Sequence, residues 1–290
     1  MKKILIVVIV IILMITFFST LPFFRPAKAD HSLSEFKKKG VIRIGYAVEA
    51  PYAFVSEDKR VTGESPEVAK VIVKQLGIND IEWYQSDFSA LIDNLLTDKI
   101  DVIASGMFIT QERAQQVSFS EPTFHVQQSM LVLRGNPLGI HSYNQAIQQG
   151  AKIAVVSGAV EKVWLSGLGM PENLIVDVPN ASVGKVAVET GITDALALSS
   201  PTIHWINMHD AGGKAEIALL FDQVQIACEI YQGFGGFAFR KQDQELLRAW
   251  NEQLKNYVGS PEHLKLISAF GFMADDLPKN TSTQEIVSGS

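Results

Sequence analysis

The chain has 290 residues, with 25 Lys and Arg against 31 Asp and Glu and a formal net charge of −6. This length can bury one large hydrophobic core or two smaller ones. The acidic balance argues against a nucleic-acid partner. The single cysteine, Cys228, excludes an intrachain disulfide.

The first 29 residues have the pattern of a secretory signal peptide. Lys2 and Lys3 form a positive start, and residues 4–18 are apolar apart from Thr16. Small residues at 27 and 29 occupy the two positions that a signal peptidase reads, so we expect cleavage before Asp30. No cysteine follows this run, which argues against a lipoprotein anchor. The sequence therefore predicts a freely diffusing periplasmic protein.

An uncleaved membrane anchor is the alternative, because the apolar run extended by residues 21–24 is nearly long enough to span a bilayer. Pro22, Pro26 and the cleavage pattern argue against it. Cleavage would leave 21 basic and 31 acidic residues and a net charge of −10. This follows because the first 29 residues include four basic residues and no acidic one, namely Lys2, Lys3, Arg25 and Lys28.

From residue 41 onward, strand patterns alternate with helix patterns. Apolar alternation and β-branched residues predict strands at 41–47, 81–84, 101–104, 129–134, 152–156, 174–178, 195–198 and 235–239. Helical spacing and end signals predict helices at 65–77, 87–96, 111–115, 141–149, 160–165, 181–190, 201–208, 246–258 and 260–271. Ser65 and Ser260 are predicted as N-caps, with Gly77 just beyond the end of the first long helix.

This alternation predicts an α/β protein with mostly parallel sheets. Strand-like crossings near 131–134 and 230–237 would separate two lobes and leave a ligand cleft between them. We assign residues 1–29 to the signal peptide, 30–134 with 235–275 to lobe 1, and 135–234 to lobe 2. Residues 276–290 form a polar tail that we expect to be disordered.

Three segments carry a family resemblance. They read V-I-R-I-G-Y-A-V-E-A-P-Y-A-F at 41–54, T-G-E-S-P-E-V-A-K at 62–70, and D-V-I-A-S-G-M-F-I-T-Q-E-R-A-Q-Q-V-S-F-S-E-P at 101–122. They resemble the polar-amino-acid family of ABC-transporter solute-binding proteins, and within it the ectoine and hydroxyectoine binders. Two positions depart from that subgroup: Val48 replaces an asparagine and Ser65 an alanine.

The resemblance implies the two-lobed type II periplasmic-binding-protein fold with two hinge crossings. It also implies a monomer without a cofactor or enzyme activity. Its partners would be a small zwitterionic solute and the membrane subunits of an ABC permease.

The resemblance also assigns site residues in the first lobe. Arg113 would bind the ligand carboxylate with two parallel hydrogen bonds. Phe108 stands where amino-acid receptors carry a serine or threonine that accepts a hydrogen bond from the α-ammonium. Phenylalanine has no acceptor, but its π-face attracts a diffuse cation. Tyr52 and Phe88 would complete an aromatic box, and Glu49 would offset the charge of an amidinium-like ring.

Each of these residues could instead have a role that does not involve a ligand. Arg113 could be a surface residue that pairs with Glu112 or Glu121. The aromatic residues could belong to the core or pack on a neighbouring loop, and Glu49 could be a solvated loop residue.

In the second lobe, segment 157–161 reads as a strand end, a turn and a helix start. The N–H groups of Gly158, Ala159 and Val160 would bind the carboxylate from the face opposite Arg113. The alternative is an ordinary strand–helix turn. Asp194 matches an aspartate that holds the α-ammonium in many relatives, and it could equally be structural.

The six histidines lack metal-ligand spacing, and no nucleotide or nucleophile motif stands at a strand–helix junction. The sequence therefore predicts neither a metal site nor a catalytic residue. Three alternatives remain open. One is a receptor for a polar amino acid or a betaine-like solute. The second is a dehydratase on this fold, for which Glu49 would be the acid or base. The third is a sensor ectodomain, which would need a further hydrophobic span.

Overall fold

The computed structural model describes residues 32–210, 212–223, 225–226, 229–230 and 233–289. The predicted signal peptide lies outside these ranges. Within them, none of the helices combines the length and the apolar character needed to cross a bilayer.

The described ranges contain sixteen short strands and eleven α-helices. The strands are β1 Val41–Tyr46, β2 Phe54–Val55, β3 Val61–Thr62, β4 Asp80–Gln85, β5 Val102–Ile103, β6 Ser118–Phe119, β7 Phe124–Val126, β8 Gln128–Leu133, β9 Ile153–Val156, β10 Ile175–Val178, β11 Ala195–Ser199, β12 Ala215–Ile217, β13 Gln225–Ile226, β14 Glu229–Ile230, β15 Gly233–Gly235 and β16 Ala238–Phe239. The α-helices are α1 Leu33–Lys39, α2 Glu64–Gln75, α3 Leu91–Leu96, α4 Gln111–Ala114, α5 Tyr143–Gln148, α6 Val160–Gly167, α7 Ala181–Glu189, α8 Ser200–His209, α9 Gln244–Tyr257, α10 Pro261–Ser268 and α11 Thr283–Ser288.

Two five-stranded sheets form the cores of the two lobes. The first has the order β4-β1-β5-β16-β6, with β1 parallel to both β4 and β5. The second has the order β10-β9-β11-β8-β12, with β9 parallel to β10 and β11. Strands β16 and β8 are antiparallel to their neighbours. The predicted two-lobed α/β fold is confirmed.

The two sheets are joined by a pair of crossing strands. Strand β7 enters the second lobe and pairs antiparallel with β15, which returns to the first. Strand β8 pairs with β11 and β12, so residues 128–133 belong to the second sheet. The predicted first crossing at 131–134, and with it the lobe 1 boundary at 134, was therefore wrong. An apolar strand reads the same in either sheet, so its pattern could not decide the boundary.

The helix ends show where local signals hold. Ser260 caps α10, because its hydroxyl accepts a hydrogen bond from the N–H of His263 at 3.2 Å. Gly77 follows α2 with a positive φ of 75°, as expected of a residue just beyond a helix end. The predicted N-cap at Ser65 was wrong, because α2 begins at Glu64 and its N-cap is Gly63.

The polar tail also differs from the prediction. Residues 283–288 form α11, and Ser282 caps it together with Glu285. Ile286 and Val287 pack against the apolar cluster under the first lobe, and the N–H of Thr283 donates to Glu121 at 3.0 Å. The tail forms a helix here because two adjacent apolar side chains, flanked by polar ones, pack on a hydrophobic surface.

Replacing Leu246 by alanine should lower the free energy of unfolding by about 2–5 kcal/mol, since it deletes a fully buried side chain of α9 and leaves a cavity. Urea denaturation monitored by circular dichroism measures the change. Leu219→Ala is the matched control, because Leu219 is 68% exposed; its effect should stay within about 0.5 kcal/mol. Equal effects of the two substitutions would contradict this assignment of the core.

Candidate ligand-binding site

A cavity lies between the lobes, at the carboxyl ends of strands from both sheets. About 30 Å³ of it can be reached by the centre of a water-sized sphere, and part of it is open to solvent. Ligands of α/β proteins bind at this edge of a sheet, where loops after successive strands converge. The cavity is lined by Glu49, Tyr52, Phe88, Ser105, Gly106, Phe108, Arg113, Ala159, Val160, Glu161, Leu198 and Ser199.

The Arg113 side chain is buried at this cavity and only 9% exposed. Its Nη1 donates to the carbonyl of Phe108 and its Nη2 to the carbonyl of Gly158, both at 2.8 Å. Its Cζ lies 5.4 Å from the centre of the Phe88 ring. Burial lowers the pKa of Arg113 to about 10, opposed by the nearby Glu161, so the group stays charged at neutral pH. Within the described residues it forms no ion pair, so the alternative of a surface pair with Glu112 or Glu121 is not met.

Aromatic rings form the walls beside the guanidinium. Tyr52 is buried, and its ring lies 5.1 Å from that of Phe124. Phe108 also packs on Phe124, with the ring centres 6.3 Å apart. Phe108 therefore has both roles that the sequence suggested, because one part of its ring joins the core while another faces the cavity.

Gly106 allows the close approach of Tyr52. Its φ is +62°, and a Cβ at this position would lie 2.5 Å from the Tyr52 ring. A side chain here would therefore displace the ring or strain the backbone. The N–H of Gly106 donates to the hydroxyl of Ser65 at 2.9 Å, which fixes the loop from beneath the cavity.

Hydrogen bonds across the cavity join the two lobes. The Tyr52 hydroxyl donates to Ser199 at 2.9 Å, and the Thr202 hydroxyl donates to Glu49 at 2.8 Å. The bond from Arg113 to the carbonyl of Gly158 is a third connection. Burial raises the pKa of Glu49, an effect that the hydrogen bond from Thr202 opposes. The predicted residues Glu49, Tyr52, Phe88, Phe108 and Arg113 thus surround one cavity.

The second lobe contributes the start of α6. Ala159 and Val160 line the cavity, while the carbonyl of Gly158 accepts the bond from Arg113. Glu161 is 3% exposed at the same place. Desolvation raises the pKa of Glu161 to about 8; the negative charge of Glu49 adds to this rise, whereas Arg113 and the backbone N–H of Glu161 itself oppose it.

Asp194 lies elsewhere. It is exposed just before β11 begins, and its Oδ2 accepts a hydrogen bond from the N–H of Lys152 at 2.7 Å. The cavity is at the opposite end of β11, beside Leu198 and Ser199. The structure therefore does not bring Asp194 to the cavity with the other predicted residues, because a residue before a parallel strand lies at the sheet edge away from the cleft.

Sequence reasoning gave no role to four polar residues at this site, Ser105, Glu161, Ser199 and Thr202, although Glu161 stood in the predicted segment 157–161. Ser105, Ser199 and Thr202 share one signal that could have identified them, since each lies at or shortly after the end of a buried strand. Polar side chains at that position point to a ligand edge.

Two other possible sites are less favourable. A surface depression beside α2 and β4 is lined by Lys70, Lys74 and Trp83, but Lys70 is already bound to Glu67 and to the carbonyl of Val61. Among the described residues, no group of three or more His, Cys, Asp or Glu side chains is arranged to hold a metal ion.

Comparison with known proteins identifies the family. The model for bacterial extracellular solute-binding proteins, family 3, matches residues 42–271. The chain belongs to this family. A probable amino-acid ABC transporter periplasmic-binding protein of Sinorhizobium fredii, y4tE, is 33% identical over 262 residues, which cover 89% of this chain and 86% of y4tE.

Solved structures of the family share the fold. EhuB in complex with hydroxyectoine superposes with a TM-score of 0.80 at 28% identity, covering 90% of this chain and all of EhuB. A mutant of arginine-bound ArgBP from T. maritima gives a TM-score of 0.69 at 27% identity, covering 78% of this chain and 99% of the other. The architecture is that of two-lobed type II periplasmic binding proteins.

A buried carboxylate supports the site from below. Glu64 is almost fully buried and accepts hydrogen bonds from Ser65 at 2.7 Å and Thr123 at 3.1 Å. Desolvation raises the pKa of Glu64 to about 7, against the two hydroxyl donors that lower it. The folded protein therefore holds a proton between about pH 4.5 and 7 that the unfolded chain releases, so this group makes stability fall as the pH rises through that window.

Glu64→Gln should reduce this fall in stability. Between pH 4 and pH 8 the variant should gain roughly 3 kcal/mol relative to the wild type, as expected for a pKa rise of about two units or more. Urea denaturation at a series of pH values measures the difference. Glu57→Gln, at an exposed position, is the control. A difference between Glu64→Gln and wild type that stays constant with pH would exclude this role of Glu64.

Proposed function

We propose that the protein is the periplasmic receptor of an ABC importer and captures ectoine or hydroxyectoine between its lobes. The observation that carries this proposal is the cavity itself, where one buried guanidinium and the rings of Tyr52, Phe88 and Phe108 stand together. An amino-acid receptor would need an acceptor for the α-ammonium at position 108, and phenylalanine has none.

The two ends of the ligand would contact different parts of the cavity. The carboxylate would lie against Arg113 and the N–H groups at the start of α6, where a helix favours negative charge. The ring cation would lie against the faces of Tyr52 and Phe108, with Glu49 as its counter-charge. Phe88 has a further task, because its ring already contacts the guanidinium and so orients Arg113.

Delivery to a permease follows from the same fold. Binding between the lobes favours the closed form, which the membrane subunits of the importer would recognise. The relative from Sinorhizobium fredii, an ABC transporter periplasmic-binding protein by name, supports this assignment. The signal-peptide pattern of residues 1–29 supports the periplasmic location. We propose that the receptor acts as a monomer, as the family resemblance of its sequence implies.

A polar amino acid of net positive charge is the second candidate. It is favoured by the two carboxylates, Glu49 and Glu161, that share the cavity with a single guanidinium. The arginine-bound structure from T. maritima is consistent with it. Phe108 argues against it, because the α-ammonium would lack its acceptor in the first lobe.

Isothermal titration calorimetry with ectoine should show 1:1 binding, and Arg113→Ala should weaken it at least about tenfold. Loss of a charge-assisted hydrogen bond costs about 1.4 kcal/mol or more. Arg113→Lys should recover part of the loss, since lysine keeps the charge but not the planar pair of donors. Arg248→Ala, at an exposed position of α9, should bind as the wild type does.

The same titration with arginine, glutamine and glycine betaine separates the candidates. Binding of arginine without binding of ectoine would overturn the proposed ligand and leave the receptor role in place. Failure of every solute in the panel would count against the receptor role itself.

Phe108→Leu should weaken ectoine binding while the fold is retained. Leucine keeps an apolar side chain but removes the π-face, whose contact with a desolvated cation contributes about 0.5–2 kcal/mol, or roughly twofold to thirtyfold in Kd. Calorimetry compares this variant with Phe36→Leu, which makes the same change at a buried position of α1. If both variants bind ectoine equally well, the aromatic ring at 108 does not contact the cation.

A further inference from the structure

The charges around the cavity do not balance for a zwitterion. Among the described residues that line it, the charged ones are Arg113, Glu49 and Glu161. With both carboxylates ionised the site carries a net charge of −1, and a zwitterion such as ectoine adds nothing to that sum. A buried net charge is strongly disfavoured unless it is compensated, and a titratable group usually takes up or releases a proton instead.

The two carboxylates differ in their hydrogen bonds. Glu49 accepts a bond from the hydroxyl of Thr202. No side chain in the described part of the protein donates a hydrogen bond to Glu161, and the rise in its pKa is opposed only by its own backbone N–H and by Arg113. Glu161 is also the more buried of the two carboxylates. Protonation therefore costs less free energy at Glu161 than at Glu49.

The neighbours of Glu161 favour the same choice. The charge of Glu161 interacts with Glu49 of the first lobe, with Tyr52, with Tyr143 on α5 and with Arg113. Of these groups only Arg113 is cationic. Two of its N–H groups already donate hydrogen bonds to backbone carbonyls. The ligand carboxylate would accept hydrogen bonds from the remaining N–H groups of Arg113. Arg113 would then stabilise the ionised form of Glu161 less.

We propose that Glu161 is a specificity-determining residue that must hold a proton for this site to accept a net-neutral zwitterion. The inference rests on the proposed function. The protonated carboxyl would donate its O–H to the ligand carboxylate at the start of α6, where an ionised Glu161 would repel it. The occupied cavity would then hold Arg113 and the ligand cation against Glu49 and the ligand carboxylate, with no net charge.

The experiment is calorimetric titration with ectoine between pH 7 and pH 9, in buffers with different heats of ionisation. Glu161 in the free protein loses its proton near pH 8, where its pKa lies. Above that pH, wild-type affinity should fall by about tenfold per pH unit, and binding should take up about one proton at pH 9. Glu161→Gln keeps a neutral side chain, so its affinity should be independent of pH in this range without proton uptake.

Glu112→Gln is the matched control. Glu112 is exposed on α4 and also interacts with the charge of Arg113, but it does not line the cavity. This variant should keep the pH profile of the wild type.

Each outcome has a distinct meaning. Ectoine binding at pH 7 with an affinity that is constant or increases up to pH 9 would overturn the role of Glu161 and leave the proposed receptor function intact. A Glu161→Gln variant that still takes up a proton would also overturn it. Absence of ectoine binding at pH 7 would overturn both the role of Glu161 and the proposed ligand.

Discussion

The buried charge of Arg113 is the constraint on which the cleft depends. Removing a guanidinium from water costs several kcal/mol unless its surroundings replace the lost hydration. Here the carbonyls of Phe108 and Gly158 accept its protons, and the ring of Phe88 covers one face. One of these carbonyls belongs to each lobe. The bonds that make the burial of Arg113 tolerable therefore also hold the lobes together.

The loop that carries Arg113 is attached to the hinge as well as to the cavity. Phe108 forms a β-bridge with Gly235, and the N–H of Ile109 donates to the carbonyl of Phe234 at 2.8 Å. Both partners lie on β15, the strand that returns from the second lobe. The loop that carries Phe108 and Arg113 is thus attached to the crossing strand by backbone pairing.

Sequence reasoning succeeded where one local pattern decides the outcome. Alternating strands and helices gave the α/β lobes, and the segment around Arg113 identified residues that the fold brings to one cavity. It failed where the decision depends on tertiary pairing. The pattern of β8 does not reveal its sheet, and the two apolar residues of α11 were hidden in a polar tail. Asp194 was misplaced because its strand was recognised but the end that faces the cleft was not considered.

Glu161 shows a different difficulty. A glutamate in the first turn of a helix is common because it complements the helix dipole, so its type and position carried no signal of their own. Only burial reveals that it shares a cavity with Glu49 and Arg113. Motifs identify the residues that a family shares. They do not reveal an additional charged residue, such as Glu161, that one member buries in its site.

The two departures from the ectoine-binder pattern, Val48 and Ser65, can be judged by whether they line the cavity. Val48 is exposed, and neither it nor Ser65 lines the cavity. The Ser65 hydroxyl accepts a hydrogen bond from the N–H of Gly106 and donates one to Glu64. An alanine could do neither, so serine adds a connection beneath the loop that carries Phe108. Because neither residue lines the cavity, neither departure argues against the proposed ligand.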